Sequence, residues 1–171
     1  VPKNLRSFDR SYSKSPVRKA AVSLDQSIAP RKMIDRLLAK PFAMGCDELI
    51  VTSAEELALR GVSLDDQIQG AKSAITILMR VPKDGDNGQF RLGGTHLVDF
   101  ACYDLTRELE DLGFRSVMTI ERPGTRVSDP AGPNVTGRIL AGFADLAHRD
   151  VIANTVVTRM TIAQQRRGSR P

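Results

Sequence analysis

His96 and His148 are the only histidines in this chain, and Cys46 and Cys102 are its only cysteines. Imidazole is the side chain whose charge changes near neutral pH, so histidine-based acid–base chemistry has to use one of these two. His148 stands three residues after Asp145 in GFADLAHRD. On a helix that spacing puts both on one face, where the carboxylate tunes the imidazole. Asp145 and His148 are therefore the candidate catalytic residues. The plainer reading of the same stretch is a helix end at which Asp145, His148 and Asp150 meet only solvent. His96, beside Gly94 at a turn into a helix, carries no further pattern.

The cysteines lie 56 positions apart with no CxxC and no paired histidine, so these residues cannot assemble a zinc or iron–sulfur site. With no secretion signal in view, they are expected to stay reduced. Cys102 sits in FACYDLTRELEDLGFRSVMTI. At helical spacing Leu97, Val98, Ala101, Cys102, Leu105, Leu109 and Leu112 share one stripe, while Asp99, Tyr103, Thr106, Arg107, Glu110 and Asp111 fall outside it and Glu108 is the exception. At the edge of that stripe a cysteine acts as a small apolar residue. A reactive thiol needs a nearby cation or helix N-terminus, and the neighbours here are Asp99 and Asp104, which oppose a thiolate. The core reading is favoured for Cys102 and, at the start of a strand, for Cys46.

Three glycine-bearing strings fail as ligand loops. GAKS, at 70–73, lacks the glycine directly before lysine and leads into a strand instead of a helix. DGDNGQ has Gln89 where a calcium loop needs its sixth-position glycine and Thr95 where it needs its twelfth-position glutamate. RLGG lacks the spacing of a dinucleotide turn.

The elements that would position these residues alternate. PRKMIDRLLAK predicts a helix of about ten residues, opened by Pro30 and ended by Pro41. CDELIVTS predicts a strand, and SAEELALRG a helix with a Ser53/Glu56 capping box closed by Gly61. GAKSAITILMRVP predicts a strand buried on both faces. PKDGDNGQFRLGGT reads as a loop leading to a helix from Thr95 to Gly113, followed by the strand FRSVMTIE and a long surface loop, PGTRVSDPAGPN. VTGRILAGFADLAHRD has a helical pattern despite Gly137 and Gly142, and VIANTVVTRMTI reads as a β-branched strand. The expected fold class is α/β, with a mixed or mostly parallel sheet flanked by helices.

With 171 residues, 41% of them hydrophobic, one globular domain over 30–163 is expected. No apolar run approaches the roughly 20 residues of a membrane span, which makes a cytoplasmic location the simplest expectation. A start at Val1 instead of Met reads as a trimmed or partial chain. Charge is concentrated at the ends: residues 1–40 hold ten Lys/Arg against three Asp, and 164–171 hold three Arg. The expectation is a basic arm over 1–29 and a basic tail over 164–171, either simply solvated or making weak nucleic-acid contacts through their cations.

One resemblance spans residues 33–120. Gly45-Cys46-Asp47 before a strand, Gly70-Ala71-Lys72-Ser73 opening an apolar strand with a following proline, and Leu109-Glu110 to Gly113-Phe114 ending a helix occur in an order similar to the N-terminal part of the epoxyqueuosine reductase and reductive dehalogenase-like family of iron–sulfur proteins. The resemblance implies a corrinoid-binding domain of nitroreductase-like architecture in which cobalamin carries the reduction. It further implies Asp145 as a proton donor and an electron donor or cluster-bearing partner, because the family's cysteine-rich double-cluster region does not occur in these residues. The chain then reads as an incomplete oxidoreductase domain without an iron–sulfur relay. The alternative is a non-enzymatic α/β binding module whose basic ends dock onto an anionic partner.

Overall fold

The computed structural model describes residues 31–81, 88–119, 135–147 and 151–168, and the basic arm expected over 1–29 lies outside them. Among the described residues five helices and five strands follow one another as α1 (Arg31–Ala43), β1 (Glu48–Ser53), α2 (Ala54–Leu59), β2 (Ser73–Arg80), α3 (Gly88–Asp111), β3 (Ser116–Met118), α4 (Val135–Ala141), α5 (Ala144–Ala147), β4 (Val151–Thr158) and β5 (Gln165–Gly168). The strands form one sheet in the order β3-β4-β2-β1-β5.

β2 is the centre of this sheet. Its residues Ser73 to Leu78 are all buried, and their side chains alternate between two separate cores. Ile75 and Ile77 join Leu49, Val51 and Val156 beneath α1 and α3. On the opposite face Ala74 and Val157 meet Leu57 of α2 and Ile139 of α4, while Leu78 and Ile50 meet Leu140 and Leu146. The molecule is thus three layers, with α1 and α3 on one side of the sheet and α2, α4 and α5 on the other.

The α/β class holds, but the expected mostly parallel sheet does not: every neighbouring pair of strands is antiparallel. α2 shows why. Its six residues rise only ~9 Å, too little to carry the chain back along a strand of ~20 Å. Ser53 therefore leaves β1 directly opposite Ser73, where β2 begins, and the pair closes as a long hairpin. α3, with 24 residues, does span the sheet and returns the chain so that β3 runs in the same direction as β2. β4 is inserted between them, pairing Thr158 with both Ser73 and Ser116. The alternation that suggested parallel strands is real, and the neighbour relation is not.

Three helices end by the same device. Gly113 at φ +88° donates to the Glu110 carbonyl at 2.8 Å while Phe114 N donates to Leu109 O at 2.9 Å, and the same pair of bonds recurs at Gly45–Cys46 and Gly61–Val62. Two boundaries differ from expectation. α1 continues through Pro41 to Ala43, since the buried proline ring packs in the last turn and its carbonyl accepts from Cys46 N at 3.0 Å. α3 begins at Gly88, not at Thr95. The reason lies at Gly94, where a Cβ would come within 2.4 Å of Met79 Cε and 2.6 Å of Ile152 Cδ1. This glycine lets the helix lie against the sheet.

The predicted stripe of α3 is buried, with Val98, Ala101, Cys102, Leu105 and Leu109 in the core. Glu108, the outlier, is ion-paired to Lys40 of α1. That hydrogen bond from Lys40 holds the Glu108 carboxyl below its usual range. The sheet also continues past the domain limit expected at 163: residues 165–168 of the expected basic tail are an edge strand, β5, paired to β1.

Leu105→Ala is expected to cost about 2–5 kcal/mol in urea denaturation, because it opens a cavity between α3 and the sheet. Leu59→Ala, at a side chain 90% exposed, should change stability by no more than about 0.5 kcal/mol.

Candidate functional site

Asp145 lies on α5, a single turn, and is exposed. Both of its carboxylate oxygens face Arg166 of β5, Nη1 donating to Oδ1 at 3.0 Å and Nη2 standing 2.7 Å from Oδ2. This geometry makes Asp145 an ion-pair partner of Arg166. His148 lies outside the described residues, and the expected pairing of Asp145 with His148 lies there with it.

Arg166 also donates through Nε to Glu48, whose side chain is only 5% exposed at the start of β1. Hydrogen bonds to Asp145 and Glu48 raise the guanidinium pKa further above its ordinary value. Arg80 stands 4.0 Å from the second Glu48 oxygen, and the Phe143 ring lies against both Arg166 and Arg60, at 6.0 and 5.8 Å. On the other face of the sheet, β5 is held by Arg167 pairing with Asp35 of α1. Two of the three arginines read as a tail for an anionic partner, Arg166 and Arg167, thus fasten β5 to both layers, and Arg170 lies outside the described residues. Sequence reasoning missed this, since Glu48 and Arg166 are 118 positions apart.

Both cysteines are free thiols in the core, as expected. Cys46 is the residue after the terminating glycine of α1, the place where a helix ending of this type seats an apolar contact. Burial, and to a lesser degree Asp47, push its thiol up to about 11. His96 is exposed on α3. Among the described residues, no group of three or more His, Cys, Asp or Glu is placed to hold a metal ion. No helix among them is long and apolar enough to cross a membrane.

What the structure adds is a groove of about 460 Å³ beside α3, lined by Met44, Leu97, Phe100, Tyr103 and Asp104. Phe100 and Tyr103 are 64% and 57% exposed, unusual for large apolar side chains. Their spacing of three residues, off the buried stripe, was the available sequence signal. Arg107 lies over the Tyr103 ring at 5.9 Å. A second hollow, of about 490 Å³ between α2 and the 61–72 connection, is open and lined mainly by small residues.

No family model matches this chain, and neither a curated protein nor a solved structure matches it. The strings that carry the resemblance have roles in chain geometry. Gly45-Cys46 and Gly113-Phe114 terminate helices, and Gly70, at φ +72°, donates to Asp65 Oδ1 at 2.9 Å in the turn before β2.

Arg166→Met should cost about 2–3 kcal/mol, less than the roughly 3–5 kcal/mol of a fully buried pair because a third of Arg166 is exposed. Asp145→Asn should cost under about 1 kcal/mol. Thermal melts of both variants check the order; equal losses would make Asp145, not Glu48, the anchor of β5. For Cys46, the raised pKa means that the neutral thiol is the folded form. Its contribution to stability is intact below the unfolded thiol value, near pH 8.5, and is lost as pH rises toward 11. Alkylation of Cys46 at pH 8 should therefore be at least about 100-fold slower in the native protein than in guanidinium, as read by mass spectrometry.

Proposed function

We propose that this chain is a corrinoid-binding-type domain of a reductive oxidoreductase, and that the groove beside α3 is the face that meets the ring. The resemblance supports the ligand class, and the exposed pair Phe100 and Tyr103 supports the place. The flat, largely apolar face of a macrocycle matches an aromatic shelf flanked by Met44 and Leu97. The groove's polar lining is Asp104, so the fit is to the ring's face and not to its amide-bearing rim. When bound, the corrinoid would carry the reduction, with electrons from a separate donor or cluster-bearing partner. The residues of this chain would hold and orient it. The nitroreductase-like architecture that accompanies this reading rests on the resemblance alone.

A second reading, a non-enzymatic binding module, is favoured by one observation. Beyond the aromatic groove α3 exposes Glu110 and Asp111, whereas Asp99 is bonded to Asn154 and Asp104 and Glu108 face Lys40, so the outer part of this helix is a surface suited to a basic group on a partner. The anionic partner expected from the basic ends gains nothing from β5, whose arginines are paired within the fold.

Anaerobic titration with cob(II)alamin, followed by visible absorption and EPR, separates the two. The corrinoid reading expects saturable binding with a base-off spectrum, weakened about tenfold or more by Phe100→Ser or Tyr103→Ser, an effect of about 1.4 kcal/mol. No spectral change at high micromolar cobalamin would leave the binding module as the reading.

A further inference from the structure

At one end of the sheet three cations stand on neighbouring strands. Arg115 precedes β3, Arg159 follows β4 and Lys72 precedes β2, and all three are exposed. The pairing of Ser116 with Thr158 continues one step outward, where Arg159 N donates to the Arg115 carbonyl at 3.0 Å, so the two arginines are direct cross-strand partners. Val117 and Val157 pack into the layer of α2 and α4, and by alternation Arg115 and Arg159 project from that same face. Like charges directly opposite one another are destabilising, and no carboxylate among the described residues forms an ion pair with either arginine or with Lys72. An anion held between these cations removes the repulsion.

The cations are also positioned. Arg159 Nε donates to the Gln69 carbonyl at 2.8 Å, which lays the guanidinium over the turn at Gly70 that leads to Lys72. With Nε engaged, the Nη groups present the planar fork that suits a phosphate. Lys72 in turn lines the open hollow of about 490 Å³ between α2 and the 61–72 connection. The small side chains of Ala54, Ala58 and Ala71 leave this hollow room, and Ser63, Glu55 and Asp65 line it with oxygens. Those oxygens accept from the hydroxyl groups of a ligand, whereas two carboxylates repel a continuous run of phosphates and so disfavour a nucleic-acid strand. The string Gly70-Ala71-Lys72-Ser73 still is not a phosphate loop, because its lysine stands at the entry to a strand and the partner cations come from other strands.

We propose that Lys72, Arg115 and Arg159 bind the phosphate of a small phosphorylated molecule bearing hydroxyl groups, whose organic part lies in the hollow beside α2. The site is on the opposite side of the sheet from the groove beside α3, so it does not depend on the corrinoid reading.

The test titrates the full chain, ¹⁵N-labelled, with glycerophosphate, inorganic phosphate and glycerol, holding ionic strength constant with sodium chloride. The expected result with glycerophosphate is saturable movement of the Ser63, Asp65, Lys72, Arg115 and Arg159 amides with a Kd on the order of 1 mM or tighter. Inorganic phosphate should bind more weakly and move the amides of the three cations without those of Ser63 and Asp65, and glycerol should move none. Arg115→Gln removes one charge at an exposed position and should weaken glycerophosphate about tenfold or more, with a melting temperature unchanged or slightly raised because the cross-strand repulsion is gone. Arg159→Lys keeps the charge, loses the fork and should weaken binding as well. Shifts that stay linear with concentration overturn the proposal, as does unchanged affinity in both variants. Equal affinity for inorganic phosphate and glycerophosphate, with Ser63 and Asp65 unmoved, overturns the assignment of the hollow. Tighter binding of an oligothymidylate, per phosphate, than of glycerophosphate also overturns the proposal, since the cations then serve a nucleic-acid strand.

Discussion

Because β2 buries Ser73 to Leu78 without interruption, both faces of the sheet have to be covered, and most of the architecture answers that requirement. A strand with polar groups on one side can face water, but β2 cannot. α1 and α3 shield Ile75 and Ile77, while α2, α4 and α5 shield Ala74 and Leu78. Thr76, Thr119, Thr136, Asn154 and Thr155 are buried polar side chains in these layers, and they bond to one another. Thr155 Oγ1 meets Thr76 Oγ1 at 2.9 Å and Thr136 Oγ1 at 2.7 Å, and so links the two central strands to α4. On the other face the Asn154 amide donates to Asp99 of α3 and accepts from Thr119, both at 2.8 Å. Each bond satisfies a group whose burial would otherwise cost about 1–3 kcal/mol, and the two to Thr136 and Asp99 fix α4 and α3 to particular places on the sheet.

The edge strand β5 is held differently. Arg166 and Arg167 point to opposite faces of the sheet, as neighbouring residues on a strand must, and each finds a carboxylate there. Two consecutive arginines thereby fasten one short strand to the helices of both layers. Glu48, almost fully buried, takes a hydrogen bond from this arrangement. The charges of Arg166 and Arg167, part of what makes the C-terminal residues look like a nucleic-acid tail, are paired within the fold.

The chemistry of the molecule is correspondingly asymmetric. The side chains that looked most chemical are occupied with structure: Cys46 and Cys102 fill the core, and Asp145 is committed to Arg166. The face that is open is apolar and aromatic, with carboxylates along the same helix. An apolar, aromatic surface of this kind is chemically suited to contact with another apolar face. Both readings of function share this face and differ in what they place on it.

Much of the fold was legible because it depends on local periodicity. The stripe of α3, the double burial of β2, the Ser53 cap, with its Oγ accepting from Glu56 N at 3.1 Å, and the stops at Gly61 and Gly113 are properties of neighbours in the chain. Glu108, the one residue out of pattern on α3, is explained only by its ion pair with Lys40, a residue 68 positions away. Periodicity carries no information about which strands lie side by side. It could not place β4 between β2 and β3, reveal four arginine-rich residues as an edge strand, or distinguish a glycine that breaks a helix from Gly94, which lets one approach the sheet. The candidate site divides in the same way. That Cys102 is core follows from spacing along one helix. That Asp145 faces Arg166 and that Phe100 and Tyr103 are left uncovered are outcomes of how the layers close, because burial and pairing across long sequence separations are set only when the whole sheet is assembled.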